Sequence, residues 1–316
     1  MVTARIEPMT IADRRILVTG ASGFLGLHLC RVLLGRGGEI HAMCRSEPKI
    51  CDPRFQWHPA DLTDPERTRT TVAAIRPEIA FHLCSHAQGE REPAMVMPTF
   101  RSELQATVNL LVSLTETGCD RLVLPGSSEE PGPGEVASSP YAAAKAASRA
   151  YAQMFYQLYA LPVVLTRIFM TYGPGQSAKK VIPHAIGCLL RGGSLKIASP
   201  ARKIDWIYVE DVIDGLIAAA TVPNLEGRSL DLGSGELVEM RDVVQRIRRL
   251  TNPGALVEIS ALPLQAFEPM RFADVAATHA LTGWRPRVSL DAGLARTVAH
   301  LRQAAETAAL PPTPAV

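Results

Sequence analysis

The sequence has few cysteines, and none stands in a spacing that binds metal or supports redox exchange. Its six cysteines are scattered over 316 residues, no two are separated by two residues, and His41, His82 and His86 form no recognisable ligand pattern with them. Zinc sites and redox motifs usually show such paired spacings. We therefore expect no metal centre, and free thiols in a reducing compartment.

Long apolar runs and blocks of one charge are also missing. No stretch approaches the ~20 apolar residues that span a bilayer, and residues 1–15 mix charges with a proline. The 33 basic and 31 acidic residues leave a net charge of +2 without a basic run. We expect no membrane insertion, no secretion signal and no nucleic-acid partner, and the chain is predicted to be cytoplasmic.

What the sequence does contain is an alternation of short apolar runs with helical patterns. The predicted strands are Arg15–Thr19, Glu39–Cys44, Phe55–Trp57, Ile79–Leu83, Arg121–Leu124 and Val163–Phe169. The predicted helices between them are Phe24–Leu34, a helix capped by Asp64-Pro65, Thr99–Thr117 and Tyr141–Tyr159. This order is typical of an α/β protein with a doubly wound parallel sheet.

The pattern changes after Gly173, where helices alternate with short strands and loops. We interpret residues 174–309 mainly as a smaller, mixed α/β lobe that binds substrate, and residues 1–173, with part of the later chain, as a nucleotide-binding domain. Residues 310–316 are predicted to be a flexible tail because they are rich in proline.

A glycine-rich loop, TGASGFLG, lies between the first predicted strand and the first predicted helix. Gly20 permits a tight turn, Gly23 lets the backbone approach a pyrophosphate, and Gly26 lets helix and strand pack closely. The helix amino terminus offers unpaired N–H groups to phosphates. The loop therefore predicts a Rossmann-type site for a nicotinamide dinucleotide.

The second strand indicates which dinucleotide is bound. It ends without the acidic residue that would bind the ribose hydroxyls of NAD, and Arg45 and Ser46 follow instead. These two residues favour the 2′-phosphate of NADP over NAD, although Arg45 could also be a solvated surface residue. Asp61 stands where it could contact the adenine or cap the next helix.

Tyr141 and Lys145 lie four residues apart at the start of a predicted helix and so share one face. A lysine ammonium beside a phenol, with a nicotinamide cation nearby, lowers the pKa of the tyrosine. Tyr141 is therefore a candidate general acid or base. A simple helix-surface pair is the alternative.

Together these motifs resemble the extended short-chain dehydrogenase/reductases, specifically the group of nucleotide-sugar epimerases, dehydratases and reductases. The resemblance covers roughly residues 14–300. Further matching segments are FHLCSHA (81–87), TRIFMTYGPGQ (166–176), IDWIYVEDV (204–212), LDLGSGE (230–236) and LTGWRPRVSLDAGL (281–294).

The resemblance implies roles for individual residues. Tyr141 would be the acid/base, Lys145 would hold the nicotinamide ribose, and Ser127 would bind the substrate oxygen that becomes a carbonyl, with Ser128 as the fallback. The implied cofactor contacts are Phe24, Leu25, Leu62, Leu83, Ser85, Ile168 and Phe169. The implied substrate contacts are His86, Ser128, Met170, Lys180, Val181, Arg202 and Arg271.

The chain departs from the family pattern at several of these places. Met170 replaces an asparagine, Ile204 replaces an arginine that Arg202 or Lys203 could substitute, Glu103 replaces a helix asparagine, and Glu130-Pro131 replaces Val-Tyr. These departures point to an altered substrate rather than to lost activity.

Three reactions of this family on a nucleotide-activated hexose begin with the same arrangement for hydride transfer between the sugar and the nicotinamide. Glu129, two residues after Ser127, is a partial signal for a 4,6-dehydratase, although it could also be an ordinary loop carboxylate. Arg45 favours NADPH and hence a 4-ketoreductase, which is the first expectation, ahead of a 4-epimerase or a dehydratase. A catalytically silent dinucleotide sensor is a remote alternative, which Tyr141 and Lys145 disfavour. The resemblance also implies a homodimer through the long apolar helices near Thr99–Thr117 and Tyr141–Tyr159, although core packing within one subunit explains the same pattern nearly as well.

Overall fold

The computed structural model describes residues 9–45, 52–85, 91–197, 199–259 and 270–309. Within these ranges the chain forms twelve strands: β1 Arg15–Thr19, β2 Glu39–Cys44, β3 Gln56–Pro59, β4 Ile79–His82, β5 Arg121–Ser127, β6 Val163–Ile168, β7 Met170–Tyr172, β8 Leu195–Ile197, β9 Lys203–Tyr208, β10 Ser229–Leu232, β11 Leu237–Glu239 and β12 Val257–Ile259.

The same ranges contain ten α-helices: α1 Phe24–Gly35, α2 Pro65–Ile75, α3 Val96–Thr99, α4 Ala106–Thr117, α5 Pro140–Tyr159, α6 Val181–Leu190, α7 Val209–Thr221, α8 Met240–Thr251, α9 Val275–Thr282 and α10 Leu290–Ala309. A short 3₁₀ helix at Pro93–Met95 precedes α3, and a π-helical turn at Phe100–Gln105 joins α3 to α4.

The central layer is a seven-stranded sheet in the order β10-β6-β5-β4-β1-β2-β3, and every neighbouring pair is parallel. Ile16, Leu17 and Val18 of β1 have no exposed surface, because helices cover both faces of a doubly wound parallel sheet. The prediction of this Rossmann-type architecture is confirmed. The strand order reverses between β1 and β4, which opens a crevice at the carboxyl ends of these strands.

Local signals explain where the helices beside this crevice begin. Asp64 caps α2 by accepting a hydrogen bond from the Arg67 amide, and Pro65 follows it. Ser139 caps α5 in the same way through the Ala142 amide, and Pro140 is the first helical residue. Such caps satisfy amide groups that have no partner within the helix.

Several predicted boundaries were wrong in informative ways. The prediction ended β5 at Leu124, but the strand continues to Ser127 because residues 122–127 keep pairing with β6. The alternative that Asp61 caps α2 was wrong, since Asp64 is the cap and Asp61 accepts from the amide and hydroxyl of Thr63. The helix predicted at Thr99 begins at Val96 and contains the π-helical turn.

Two small sheets lie beside the main one, with strand orders β11-β9-β7 and β12-β8. Helices α6, α8 and α10 pack together next to them. The buried Asp205 carboxylate of β9 accepts hydrogen bonds from the amides of Ser234, Gly235 and Ala273. The mixed α/β character predicted after residue 173 therefore has a structural counterpart, while the domain limits themselves stay a prediction.

No helix within the described ranges combines the length and the apolar character that a bilayer crossing demands.

Candidate active site

The glycine loop follows β1 directly and is shaped by close backbone approaches. Gly20 has a φ of +65°, and a Cβ there would lie 2.6 Å from the Leu83 carbonyl oxygen. A Cβ on Gly26 would collide with the carbonyl oxygen of Gly20. Gly23 is the N-cap of α1, and no described side chain caps this helix. The loop therefore leaves amide groups and space for a phosphate-bearing ligand, as a dinucleotide requires.

A cavity of about 470 Å³ extends from this loop toward the ends of β2 and β3. Arg45, Asp61 and Leu62 line it at the far side, and Leu83 and Ser85 line it at the near side. The cavity thus contains Arg45 and Asp61, which were predicted at the adenosine end of a cofactor, and also Leu83 and Ser85, which were predicted to line the nicotinamide. Ser46, predicted beside Arg45, lies outside the described residues.

A second cavity, of about 340 Å³, lies on the other side of the glycine loop. It contains the predicted catalytic residues together with the predicted contacts of the nicotinamide and part of the substrate set. The lining residues named from the sequence are Gly20, Gly23, Phe24, Leu25, Gly26, Leu83, Ser85, Ser127, Ser128, Glu129, Tyr141, Lys145, Ile168, Phe169, Met170 and Lys180. Their convergence makes this cavity the candidate reaction site.

Ser127, Tyr141 and Lys145 meet because β5 ends where α5 begins its first two turns. Ser127 is the last residue of β5, and its hydroxyl acts to lower the pKa of the Tyr141 phenol. Its Oγ also accepts from the Glu129 amide at 3.2 Å. The Lys145 ammonium lies 5.8 Å from the centre of the Tyr141 ring and donates to the Pro125 carbonyl at 3.3 Å. This arrangement can bind and protonate, or deprotonate, one substrate oxygen.

The pKa of Tyr141 lies above its ordinary value when only protein groups act on it. Burial raises this pKa most, the Lys145 ammonium lowers it, and the carboxylates of Glu103 and Glu129 raise it again. The expectation that Lys145 lowers the pKa holds for the contribution of the lysine alone. In the protein alone, burial and the two carboxylates outweigh the lysine. The lowered pKa was predicted with a nicotinamide cation beside Tyr141, so the net direction in that complex stays a prediction.

Glu103 is a site residue whose role the sequence did not reveal. It lies in the π-helical turn, and its carboxylate has no exposed surface. Its Oε2 is 3.1 Å from Lys145 Nζ, and its Oε1 accepts a hydrogen bond from the Ser85 hydroxyl at 3.0 Å. Burial alone lowers the pKa of Lys145, but Glu103, Tyr141 and Glu130 raise it above its ordinary value. Lys145 therefore stays charged inside the protein.

Glu130 is a second buried acid that had been noted only as a departure from the family pattern. Its Oε1 accepts from the Ser127 amide at 2.7 Å, and its Oε2 lies 3.7 Å from the Arg149 guanidinium. Arg149 is on α5, one turn beyond Lys145 and two beyond Tyr141. Glu130 therefore connects the end of β5 to the helix that carries Tyr141 and Lys145.

The residues predicted to hold the substrate are only partly brought together. Ser128, Glu129, Phe169, Met170, Arg202, Lys203, Ile204, Asp205 and Arg271 line a narrow cleft next to the reaction site. The Arg271 guanidinium donates to the main-chain oxygens of Ser128 and Glu130 and pairs with Glu135. Val181 opens α6 next to Lys180 and is exposed. His86 lies outside the described residues.

The chain was compared with known protein families and with curated relatives. The model of the NAD-dependent epimerase/dehydratase family matches residues 16–233, which is more than half of the chain. A dTDP-glucose 4,6-dehydratase from Haemophilus influenzae is 25% identical over 90% of this chain and 96% of that protein.

Two solved structures are similar over nearly the whole chain. The UDP-glucose 4-epimerase of Thermotoga maritima, solved with UDP-glucose, has a TM-score of 0.85 and 22% identity over 92% of this chain and 99% of that chain. The UDP-glucose 4-epimerase of Thermus thermophilus, solved with NAD, has a TM-score of 0.80 and 26% identity over the same shares of the two chains, 92% and 99%. The fold around the candidate site is therefore shared with these enzymes.

Proposed function

The chain belongs to the NAD-dependent epimerase/dehydratase family, and from that membership we propose a reaction that begins by oxidising C4 of the hexose in a nucleotide sugar. Among the reactions that follow such an oxidation, we propose 4,6-dehydration. The observation that carries this choice is the position of Glu129, which lines the same cavity as Ser127 and Tyr141. Its charge also raises the pKa of the Tyr141 phenol.

The bound nicotinamide would supply a hydride acceptor for C4 and, after elimination, a hydride donor for C6. Tyr141 takes the proton of the 4-hydroxyl as the carbonyl forms, and Ser127 donates a hydrogen bond to that oxygen. Lys145 supplies the positive charge that favours the phenolate. The glycine loop and the amino terminus of α1 would hold the pyrophosphate of the cofactor.

Glu129 performs the additional proton transfers that dehydration requires. The new carbonyl acidifies the C5 hydrogen, and Glu129 removes that proton. The same carboxyl group then protonates the C6 hydroxyl, which leaves as water. A hydride delivered to C6 would be accompanied by a proton from solvent at C5, and Tyr141 would release to solvent the proton it took from the 4-hydroxyl. The overall reaction is then loss of one water, with the cofactor in its starting oxidation state.

A 4-epimerase is the second candidate, and Ser128 favours it. A serine stands there in place of the aspartate that a Thr-Asp-Glu dehydratase pattern would require. The similar solved structures are also 4-epimerases. The 4-ketoreductase that was first expected is supported only by Arg45, and the relatives named above are not reductases, so it ranks third.

We also propose that the cofactor is NADP rather than NAD. Arg45 lines the adenosine cavity at the end of β2, and the strand reaches it through Met43 and Cys44 without an acidic residue. A guanidinium there matches a 2′-phosphate, whereas an acid would repel it.

Single-turnover experiments with nucleotide sugars test the reaction. Absorbance at the reduced-nicotinamide band reports oxidation at C4, and mass spectrometry reports the product. Glu129→Gln is expected to retain cofactor reduction while losing most of the dehydrated product. Tyr141→Phe is expected to lose cofactor reduction by about 10²–10⁴-fold, the range of general acid–base catalysis.

The outcomes separate the candidates. An epimerised sugar of unchanged mass, formed equally well by Glu129→Gln, would replace dehydration with epimerisation. Net consumption of NADPH with 4-keto sugars would restore the reductase. Full activity of Tyr141→Phe on every nucleotide sugar would overturn the proposed chemistry.

A further inference from the structure

Lys145 has a buried acidic partner, Glu103, in the π-helical turn that packs against α5. Glu103 Oε2 lies 3.1 Å from Lys145 Nζ, and the Glu103 side chain has no exposed surface while that of Lys145 is 9% exposed. Because water is excluded there, the attraction between the two charges is screened far less than on the surface. The Lys145 ammonium is therefore held by a carboxylate before any ligand contributes.

The main chain of Glu103 is held as firmly as its side chain. In the π-helical turn its carbonyl oxygen accepts hydrogen bonds from the side chains of Thr107 and Ser148, the latter at 3.2 Å. Ser148 is on α5, less than one turn beyond Lys145. Turns of this kind are often found at functional sites. The Glu103 carboxylate is thus fixed relative to the helix that carries Tyr141 and Lys145.

We infer that Glu103 is the fixed counter-ion of Lys145 and a positioning residue. By offsetting the ammonium charge, Glu103 moves formation of the Tyr141 phenolate to higher pH. The inference rests on the proposed function, in which that phenolate is the base for oxidation at C4. A lone ammonium favours a nearby phenolate, but an ammonium paired with a carboxylate does so less. Through Ser85, which donates to the same carboxylate, Glu103 also fixes a residue lining both cavities.

The other charged or titratable groups around the pair do not replace Glu103 in this role. His82 of β4 has its pKa lowered to about 3, first by burial and then by Lys145, so it is neutral near pH 7. Burial raises the pKa of the Cys84 thiol to about 11. Glu129 and Glu130 add negative charge, but Glu130 is held by the Ser127 amide and Arg149. Glu103 is the acid in direct contact with the ammonium.

Glu103→Gln removes the charge while an amide of the same size can still bond to Ser85. The experiment measures the rate of cofactor reduction by a nucleotide sugar against pH in single turnover. Glu103→Gln is expected to shift the rising limb of this profile to lower pH, with a rate increase of at least threefold at pH values below the wild-type limb. Any alkaline decline also moves to lower pH, because Lys145 loses the carboxylate that raises its pKa.

Glu116→Gln is the matched control, because it removes an exposed carboxylate from α4 on the far side of the helix from the site. Its profile is expected to coincide with that of the wild type. A Glu103→Gln profile that coincides with the wild type, or shifts to higher pH, overturns the inference. If Glu103→Gln does not fold, Glu103→Asp replaces it, because the shorter side chain draws the carboxylate back from Lys145 Nζ. Glu103→Asp must shift the rising limb of the pH profile to lower pH by a smaller amount. A Glu103→Asp profile without a shift also overturns the inference.

Tyr141→Phe separates this inference from the proposed function. If Tyr141→Phe reduces the cofactor as fast as the wild type, the proposed chemistry fails. If Tyr141→Phe is inactive while Glu103→Gln keeps the wild-type profile, only the role of Glu103 fails. An ultraviolet titration of tyrosinate, taken as the difference between each protein and its Tyr141→Phe version, locates ionisation of Tyr141 without turnover and must move to lower pH in Glu103→Gln.

Discussion

At the scale of single residues, the most informative positions are those where a charge stands beside a cavity that a ligand would fill. Arg45 is such a position at the adenosine end, and Glu129 is another at the reaction end. In the proposed function, Arg45 discriminates between the phosphorylated and the unphosphorylated cofactor, and Glu129 between the dehydrated and the epimerised product. We therefore expect substitutions there to change the choice of ligand or product more than the fold.

Replacement of Arg45 tests the cofactor. Arg45→Ala is expected to weaken NADP binding by about tenfold to a hundredfold, since a hydrogen bond to a charged group contributes ~1.5–3 kcal/mol, while NAD binding changes little. Titration of both dinucleotides by calorimetry measures the two affinities. Arg54→Ala, which removes an exposed arginine paired with Asp52, is the control. Equal binding of NAD and NADP by the unmodified protein would refute the preference.

At the scale of secondary-structure elements, a buried histidine of β4 adds side-chain hydrogen bonds to β1 and α4 beyond the pairing of the strands. His82 Nδ1 lies 2.8 Å from the Thr19 hydroxyl of β1, and Nε2 lies 3.0 Å from the Thr107 hydroxyl of α4. Burial lowers the pKa of His82 to about 3. The folded protein therefore requires the neutral ring, whereas the unfolded chain protonates it near pH 6.5.

Because the pKa of His82 is lower in the folded protein than in the unfolded chain, the free energy of unfolding falls as the pH is lowered. The contribution of His82 to stability is complete above pH 6.5 and is lost as the pH falls toward 3, by at most about 1.4 kcal/mol per pH unit. His82→Gln is expected to flatten the dependence of the free energy of unfolding on pH between 6 and 4.5. Urea unfolding at several pH values measures it, with the exposed His300→Gln as the control. An unchanged slope in His82→Gln would contradict this account.

The contact between β5 and α5 yields another prediction. Glu130→Ala removes the acceptor of the Ser127 amide and leaves Arg149 without its buried partner. A lost buried hydrogen bond costs about 1–3 kcal/mol, and here it also frees the serine that we propose to bind the substrate oxygen. We expect kcat to fall at least fivefold with little change in KM, whereas Glu130→Gln, which keeps an acceptor oxygen, retains most activity. Steady-state kinetics of both variants measures kcat and KM. Equal activity of Glu130→Ala and Glu130→Gln would contradict the proposed role of the Glu130 carboxylate.

How much of the site could be predicted depended on how local each signal is. Gly20 belongs to a short motif between β1 and α1, and Tyr141 and Lys145 form another within the first two turns of α5. Because each motif is local, the sequence placed these residues correctly in their elements. Glu103 contacts Lys145 across 42 residues of chain, and no spacing rule encodes such a contact. One signal was available: Glu103 falls on the buried face formed by Thr99, Thr107 and Leu110, where an acid needs a partner.

The small strands were missed for a different reason. Strands β7 and β11 have three residues each, too few for the alternation of apolar and polar side chains to become visible. Both pair with β9, which the sequence marked only as part of a family segment. Pairing between distant short segments is decided by tertiary packing, and a single sequence carries little information about it.

At the scale of the whole molecule, two groups of apolar side chains are exposed on the helices around Tyr141 and Lys145. Val96, Met97 and Phe100 are exposed on α3 and the π-helical turn, and Leu158 and Tyr159 are exposed at the end of α5. Helix α3 packs against α5, so the two groups lie on neighbouring elements. Exposed apolar clusters often mark interfaces between proteins, which supports the proposal of a homodimer through these helices.

A charge placed in one of these two groups tests the dimer. Leu158→Glu is expected to raise the dimer dissociation constant at least tenfold, because burying a leucine side chain contributes ~1.5–3 kcal/mol and the substituted carboxylate would have to be desolvated. Sedimentation velocity over a concentration series measures the constant. Leu281→Glu, on the exposed side of α9, is the control. A wild type that sediments as a monomer at every concentration would rule the dimer out.

The path of the chain between the sheets has a consequence for how such proteins diverge. After leaving the main sheet for β7, α6, β8 and β9, the chain returns to its edge at β10 and then leaves again for β11. The region beside the substrate cleft is therefore assembled from separate stretches, tied together by Asp205 through Ser234, Gly235 and Ala273. A single recombination breakpoint cannot transplant substrate specificity from one relative to another. Chimaeras would need matched junctions on both sides of β10, so specificity changes most readily through point substitutions within the cleft.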